Sequence, residues 1–364
     1  MRVSTVLRLT TNPGLEDIVE TELRGRLRAA GLVLQSSERR PFGLAGNVLA
    51  EMPHSLAEVL PVVGSLRSVG HVVAHRAWFP LPEQRPLEAL AERLAGIEIP
   101  ELAGARSFRV TTARVGEHDF STIDVQRAAG AVLLERSGVA VDLHAAEVNV
   151  RVDVVGSLCL VGIQITAERM DKRHEKVYQP RVTLRPTVAY AMLALCGLHG
   201  ERGRVLDPFC GSGNILLEAG AALPGWQLHG SDYNPRAVEG AAANLLAAGL
   251  TDLATVRCLD ARELAAAYPA GWFDAIVTDP PYGVRMGRNV NFHGLYIRFL
   301  EAAWAVLVPE GRLVILVGKQ RAAFNRVVRQ FGGFRILHAR VVETSGVYPV
   351  LFVLGRVDPP QPGG

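Results

Sequence analysis

The chain has 364 residues, 49% of them hydrophobic and 21% charged, with a formal net charge of +3. That usage excludes a mostly disordered chain, a collagen-like repeat and a coiled coil, and the length fits two or three domains. No apolar run reaches the roughly 18 residues that span a bilayer, Met1 to Thr10 holds no signal-peptide core, and four single cysteines without a CxxC pair argue against a disulfide framework or a cysteine-built zinc site.

The expectation is therefore a cytoplasmic protein in a reducing compartment, with no membrane and no metal. Charge is uneven along the chain: residues 1–170 carry 18 Lys/Arg against 20 Asp/Glu, leaving 21 against 16 over residues 171–364. Cys159, Cys196 and Cys258 lie in apolar segments and are expected in the core. The ten histidines show no metal spacing.

Residues 1–170 read as short strands and helices in mixed order. Val6–Thr10 is a strand, and Asn12-Pro-Gly-Leu-Glu-Asp opens a helix through about Ala30 with Pro13 in its first turn. Ser107–Arg114 alternates like a strand, Ser121–Arg136 has helical spacing, Val148–Val154 alternates strictly, and Leu158–Ile165 is a further strand. One or two small α+β units result. Past the middle, Arg169-Met-Asp-Lys-Arg-His-Glu-Lys176 with Arg181 and Arg185 forms a dense basic stretch. It reads equally well as a solvated linker and as a phosphate-contacting segment.

Residues 185–357 change rhythm. Strands at Arg204–Leu206, Gln227–Gly230, Ala254–Cys258, Asp274–Val277 and Arg312–Val317 alternate with helices at Ile215–Ala221, Ala237–Ala248 and Tyr296–Leu307. This is a βαβ pattern, which demands a parallel sheet covered on both faces. Phe334–Glu343 and Val350–Val357 break it and predict an antiparallel hairpin at the sheet's end, and residues 358–364 read as a disordered tail.

Four strand ends carry the chemistry. Val205-Leu-Asp-Pro-Phe-Cys-Gly-Ser-Gly-Asn214 is a strand, a Gly-rich turn and a helix start, so Gly211 and Gly213 let a ligand approach the backbone. Asp232 ends the next strand 19 residues after Gly213, where an acid suits a ribose diol. Asp260 ends a third strand. In Phe273-Asp-Ala-Ile-Val-Thr-Asp279-Pro-Pro-Tyr-Gly283, two prolines stiffen the loop and remove two N–H donors, leaving the Asp279 carboxylate and the Pro280 carbonyl as acceptors and Tyr282 as an aromatic face. A planar substrate bearing an exocyclic amine fits that arrangement. All four acids are expected on one edge of the sheet.

At these residues the chain resembles class I S-adenosylmethionine-dependent methyltransferases: Asp207-Pro-Phe-Cys-Gly-Ser-Gly is similar to their first motif, and Asp-Pro-Pro-Tyr-Gly to the fourth motif of those that methylate exocyclic amines. Thr10–Asp17, Ser107 through Gly130 and Leu160–Thr166 look like a ferredoxin-like leader and THUMP domain, and Arg181–Ala189 like the joining segment of that family. The resemblance covers nearly the whole chain and implies a tRNA guanine-N2 methyltransferase. The implied domains are ferredoxin-like 1–65, THUMP 66–168, basic linker 169–184 and a Rossmann-like catalytic domain 185–357.

The implied cofactor is S-adenosylmethionine, held by Asp207, Pro208, Phe209, Gly211, Gly213 and Asn214 at the methionine end, Asp232 and Asn234 at the ribose, and Asp260 and Ala261 at the adenine, with Asp279 beside the methyl. The catalytic residues would be Asp279, Pro280 and Tyr282. RNA contacts would fall to Arg106, Arg109, Arg114, Lys172, Arg173, Lys176 and Arg181, the partner being tRNA and the protein a monomer. Rival readings are an rRNA guanine-N2 methyltransferase, a DNA adenine-N6 methyltransferase and a non-enzymatic RNA-binding protein. A cysteine-nucleophile route is disfavoured, because Cys210 lies in the Gly-rich turn and no cysteine follows the proline pair.

Overall fold

The computed structural model describes residues 4–166, 169–181, 183–198, 200–281 and 292–357. The chain forms two compact units: Met1–Thr11 with Val19–Met170, and Asn12–Ile18 with Asp171–Gly364. Tyr282 and the tail 358–364 lie outside the described residues.

Among the described residues, the first unit is built on one nine-stranded sheet. Its strands are β1 (Thr5–Thr10), β2 (Ser36–Arg39), β3 (Asn47–Met52), β4 (His71–Pro80), β5 (Ser107–Thr111), β6 (Arg114–Val115), β7 (Ala140–Val141), β8 (Val148–Val155) and β9 (Leu158–Gln164). They run in the order β2-β3-β1-β4-β9-β8-β5-β7, with β6 beside β8. The helices are α1 (Glu16–Ala29), whose first turn belongs to the second unit, α2 (Leu56–Gly64), α3 (Pro86–Ala95) and α4 (Thr122–Ser137).

Leu23 and Leu27 of α1, Val59 and Val63 of α2, Leu90 and Leu94 of α3, and Val125 and Leu133 of α4 share one core with Leu7, Leu9, Val150 and Val152. Capping boxes at Ser55/Glu58 and Ser121/Asp124 start α2 and α4. Inside the sheet, the Arg8 guanidinium on β1 pairs with Asp153 on β8, which also accepts from Arg151 Nη2 at 2.7 Å. Asp153 Oδ1 accepts the Ala113 N–H as well, at 2.7 Å, in the gap that splits the expected strand Ser107–Arg114 into β5 and β6.

The second unit holds strands β10 (Arg204–Asp207), β11 (Gln227–Asp232), β12 (Ala254–Cys258), β13 (Phe273–Thr278), β14 (Leu307–Val317), β15 (Phe334–Val341) and β16 (Val350–Arg356). Its helices are α5 (Pro186–Cys196), α6 (Asn214–Ala222), α7 (Pro235–Ala247), α8 (Leu264–Ala267), α9 (Phe292–Val306) and α10 (Arg321–Phe331). The order is β12-β11-β10-β13-β14-β16-β15. The first five strands are parallel, and β16 runs antiparallel to both β14 and β15.

Strand alternation splits the side chains between two cores, as a sheet covered on both faces requires. Val205, Ala275, Val277, Val314 and Leu316 pack with α5, α6 and α7. Leu206, Ile276, Leu313 and Ile315 pack with α9 and α10. Cys159 and Cys196 are buried, whereas Cys258 is exposed, contrary to the expectation from its apolar segment. The reason is position: β12 is the edge strand, so its flank is not covered.

The N-terminal segment Asn12–Ile18 is part of this unit. Leu15 and Ile18 join the core of α5 and α6. Asn12 Nδ2 donates to the Glu343 carbonyl at 2.8 Å, Thr187 Oγ1 donates to Asn12 Oδ1 at 2.8 Å, and Arg340 pairs with Asp17 at 2.5 and 2.8 Å. The helix starts at Glu16 rather than at Asn12–Pro13. Gly14 has φ +97°, and a Cβ there would stand 2.2 Å from the Val341 carbonyl oxygen, so Pro13 and Gly14 form a turn pressed onto β15.

Candidate active site

The order of the second sheet reverses at β10. From there the chain moves outward through β11 and β12, then returns to place β13 on the opposite side. Ligands of open α/β sheets bind in the crevice at such a switch point, beyond the carboxyl ends of the strands. β10 and β13 are parallel neighbours in the register Val205↔Ala275 and Leu206↔Ile276, so their ends lie side by side. Asp207 Oδ1 accepts the Thr278 hydroxyl at 2.7 Å and the Phe209 N–H at 3.2 Å. Asp207 is 2% exposed. Burial pushes its carboxyl up to about 8 against those two hydrogen bonds, and the nearby Asp279 and Asp232 add to the rise. Among the described residues no cation pairs with it.

The turn after β10 is tied to β11: the Cys210 N–H donates to the Ser231 carbonyl at 2.9 Å, and the Gly211 N–H to Asp232 Oδ2 at 3.1 Å. Gly211 and Gly213 have φ +53° and +81°, and a Cβ at Gly211 would point into open space. Pro208 is buried, and Phe209 stands edge-on to Phe299 at 5.3 Å. α6 opens at Asn214 without a side-chain cap, so its first N–H groups are open. Asn214 Nδ2 donates to the Leu184 carbonyl at 2.7 Å, while its Oδ1 is buried with no partner. Burial pushes the Cys210 thiol strongly up, which keeps it protonated.

Asp232 and Asp260 occupy the ends of the next two strands. Asp232 Oδ1 accepts the Asn234 N–H at 2.9 Å. Asn234 itself caps α7, its Oδ1 accepting from the Arg236 N–H at 3.1 Å. Asp260 caps the short turn Ala261–Glu263, over the buried Ala261, and is gripped by Arg262 at 2.9 and 2.5 Å; this pair holds its carboxyl below the usual range. Asp279 follows β13 directly, half-buried, with Pro280 buried behind it. Burial, helped by the Asp279 charge, pushes the Tyr296 phenol up to about 12. The structure thus brings Asp260, Asp232, Asp207 and Asp279 to the ends of four adjacent strands on one edge.

The basic candidates fall into two groups. Arg173 chelates the fully buried Glu218 of α6 at 3.0 and 3.1 Å, joined by His174 at 3.0 Å, and Lys176 is half-buried, so this part of the linker is packed against α6. Lys172 and Arg181 are exposed. In the first unit Arg106 is exposed and pairs with Glu147 at 3.2 Å, Arg109 is half-buried, and Arg114 donates to the carbonyls of His118 and Phe120 at 2.9 and 2.6 Å.

Sequence reasoning did not single out Thr278, Glu218 or Asn244. Asn244 bonds both ways to the Tyr178 backbone, at 2.9 and 2.8 Å, and to the Ser212 carbonyl at 3.0 Å, joining the linker to the Gly-rich turn. The available signal was a lone polar residue on an otherwise apolar helix face, beside Ala241 and Leu245.

Residues 86–164 match the family described as THUMP domain, and residues 173–349 the family described as RMKL-like, methyltransferase domain. The tRNA (guanine(6)-N2)-methyltransferase of Thermus thermophilus is 37% identical over 96% of this chain and 99% of its own. The chain belongs to the family of THUMP-domain tRNA guanine-N2 methyltransferases. The crystal structure of TrmN from Thermus thermophilus matches it with a TM-score of 0.81 at 36% identity, covering 97% of this chain and 100% of that one. A second member, the tRNA (guanine(10)-N2)-dimethyltransferase of Pyrococcus abyssi, is 33% identical over 56% of this chain and 60% of its own.

Membership makes the chain an enzyme of the class I methyltransferases, a class that uses S-adenosylmethionine. The residues present fit that group. Open space at Gly211, an unpaired buried acceptor at Asn214 Oδ1 and a buried carboxyl without a cation at Asp207 suit a ligand that carries an ammonium and a sulfonium.

Proposed function

We propose that the protein methylates the exocyclic N2 amine of guanosine 6 in tRNA, once, with S-adenosylmethionine as donor. The observation that carries this reading is the pair of acceptors, Asp279 and the Pro280 carbonyl, beginning one residue past Thr278 and beside Asp207 at the switch point. The choice of nucleotide rests on the relative that matches the whole chain being named for guanine 6, whereas the guanine 10 dimethyltransferase matches just over half of it.

When bound, the cofactor supplies an electrophilic methyl group. Asp207, the Gly211 turn and Asn214 hold its methionine end. Asp232 keeps lone pairs for the ribose hydroxyls beyond its two backbone bonds, and Asp260 accepts the adenine amine. Asp279 and the Pro280 carbonyl take the two N2 hydrogens of the guanine, fix the direction of the nitrogen lone pair and stabilise positive charge growing there. Tyr282 sets the ring plane. The methylated ammonium is acidic, so Asp279 or water removes the proton without a strong base. The guanine leaves its stack to reach the pocket, with the THUMP domain, taken as residues 66–168, holding the tRNA on cationic side chains such as Arg106, Arg109 and Arg114.

Incubation with methyl-labelled cofactor and unmodified tRNA transcripts, followed by nucleoside mass spectrometry, is expected to yield N2-methylguanosine mapping to position 6. Label in rRNA or in DNA adenine instead of tRNA overturns the substrate. Asp279→Asn is expected to lower kcat by about 10²–10³-fold, the scale of one lost transition-state hydrogen-bonding group, while cofactor affinity by calorimetry stays near wild type.

A further inference from the structure

A second feature sits on the catalytic edge of the sheet. The register Thr278↔Ile315 between β13 and β14 carries Pro280 level with Val317, the last residue of β14. Val317 in turn pairs with Val350, the first residue of β16. The segments that leave these two ends, Gly318–Arg321 and Gly346–Pro349, therefore emerge one and two strands from Asp279-Pro280, about 5–10 Å across the sheet at ordinary strand spacing.

Together they line a cavity of about 420 Å³ bounded by Gly318, Lys319, Arg321, Val347, Tyr348 and Pro349. Lys319 and Arg321 are exposed, and among the described residues neither has an acidic partner. Tyr348 is 63% exposed and Val347 45%, an apolar and aromatic surface presented to solvent.

The loop that carries Tyr348 is held in place. Thr344 and Val347 exchange backbone hydrogen bonds at 2.9 and 3.1 Å around Ser345 and Gly346, whose φ values of +53° and +78° make a tight hairpin turn. Arg185 Nη2 donates to Ser345 Oγ at 3.3 Å. The aromatic ring is thus offered from a fixed backbone beside two unpaired cations.

We propose that this cavity is a binding subsite for the RNA strand next to the target guanosine, Lys319 and Arg321 taking a phosphate and Tyr348 stacking a neighbouring base. The inference rests on the tRNA guanine-N2 reading above. Cations without acids select a polyanion. An exposed tyrosine beside them suits an unstacked base, which extrusion of the target guanine leaves in the strand. Its place beside Pro280 matches a nucleotide adjoining the one in the pocket.

The test uses the full chain with Lys319→Ala/Arg321→Ala, Tyr348→Ala and Tyr348→Phe, measuring tRNA affinity across a salt series, single-turnover methylation and cofactor affinity. The double variant is expected to reduce the slope of log affinity against log salt by about 0.7–0.9, the loss of one phosphate contact. Tyr348→Ala is expected to weaken tRNA binding about ten-fold, and Tyr348→Phe, which keeps the ring, to bind like wild type. Cofactor affinity is expected to be unchanged in all three. Wild-type methylation of tRNA with variants that match wild type in affinity and slope overturns the subsite alone. Failure of the wild type to methylate tRNA overturns the functional reading and the subsite with it.

Discussion

Two buried aspartates, one in each sheet, meet opposite fates. Asp153 in the nine-stranded sheet is 1% exposed and is surrounded by donors: Arg8, Arg151 and the Ala113 N–H. Asp207 in the seven-stranded sheet is as buried, yet it meets one hydroxyl and one N–H and faces two further carboxylates. The first is a closed network in which two guanidiniums and an N–H surround one carboxylate, and it joins strands far apart in the chain. The second is left short of positive charge, and burial raises its carboxyl instead. Burial is common to both, so the missing cation is what separates them.

The largest effect should come from opening the closed network. Arg8→Met leaves Asp153 buried with the partly exposed Arg151 and the Ala113 N–H beside it, and is expected to lower unfolding stability by about 3 kcal/mol in denaturant titration. Cofactor affinity of the folded fraction should not change. A loss below about 0.5 kcal/mol would mean that Arg151 alone suffices, and the contrast between the two aspartates would weaken.

Asp207 should respond to pH in the opposite sense from a salt-bridged acid. In the unfolded chain its carboxyl ionises near the ordinary aspartate value of 3.8, whereas in the folded chain it keeps its proton to about 8. Between those limits the folded state binds more protons than the unfolded state. Its contribution to stability is therefore complete below the lower limit and is lost as pH rises through the upper one. A cationic ligand favours the ionised form, so cofactor affinity is expected to rise by roughly ten-fold or more between about pH 5.5 and pH 7.5. Asp207→Asn should flatten that rise. Calorimetry at the two pH values checks it, and an equal slope in wild type and variant would remove Asp207 from the cofactor site.

The smallest effect concerns Asp260, whose carboxylate is gripped by the half-exposed Arg262. Arg262→Ala frees Oδ2 for the adenine amine, while Oδ1 keeps the backbone N–H at position 262, and is expected to tighten cofactor binding about two- to five-fold, the scale of an exposed ion pair. Weaker binding would show that Arg262 orients Asp260 rather than competing for it.

The legible parts of the fold are those written locally. β10, its Gly-rich turn and α6 occupy 19 consecutive positions, and β13 runs straight into Asp279-Pro-Pro-Tyr, so each could be read from a short window. The closing hairpin β15–β16 and its antiparallel sense were legible for the same reason. β2, β3, β4, α2, α3, α5 and α10 were not singled out: β2 is short and α5 is apolar on all sides, whereas α10 carries a charged face and an apolar one and its pattern was there to be read. α5, for example, buries Thr187, Val188, Ala189, Ala191, Met192, Leu193 and Cys196 with no polar face to give it a period.

Long-range partners were invisible for a different reason. Glu218 meets Arg173 from 45 positions away, and Arg8 meets Asp153 from 145 positions away. No local pattern names such a partner, and for Arg173 the basic run drew attention to solvent and phosphate instead. At the site, the four acids on one edge were legible from strand rhythm. Thr278 bridging to Asp207 and Arg262 gripping Asp260 depend on side-chain reach across strands and turns.

The packing of Asn12–Ile18 into the second unit has a consequence for biosynthesis. Asn12 bonds to a carbonyl 331 positions later in the chain. At about 5–20 residues per second, a ribosome delivers that partner roughly 15–65 s after Asn12 itself. Leu15 and Ile18, buried in the finished enzyme, wait about that long for the last members of their core, Val342, Leu351 and Val353. The methyltransferase fold is thus closed by one of the first segments made and one of the last, and a gene fragment cut at the boundary between residues 170 and 171 would encode it without its opening piece.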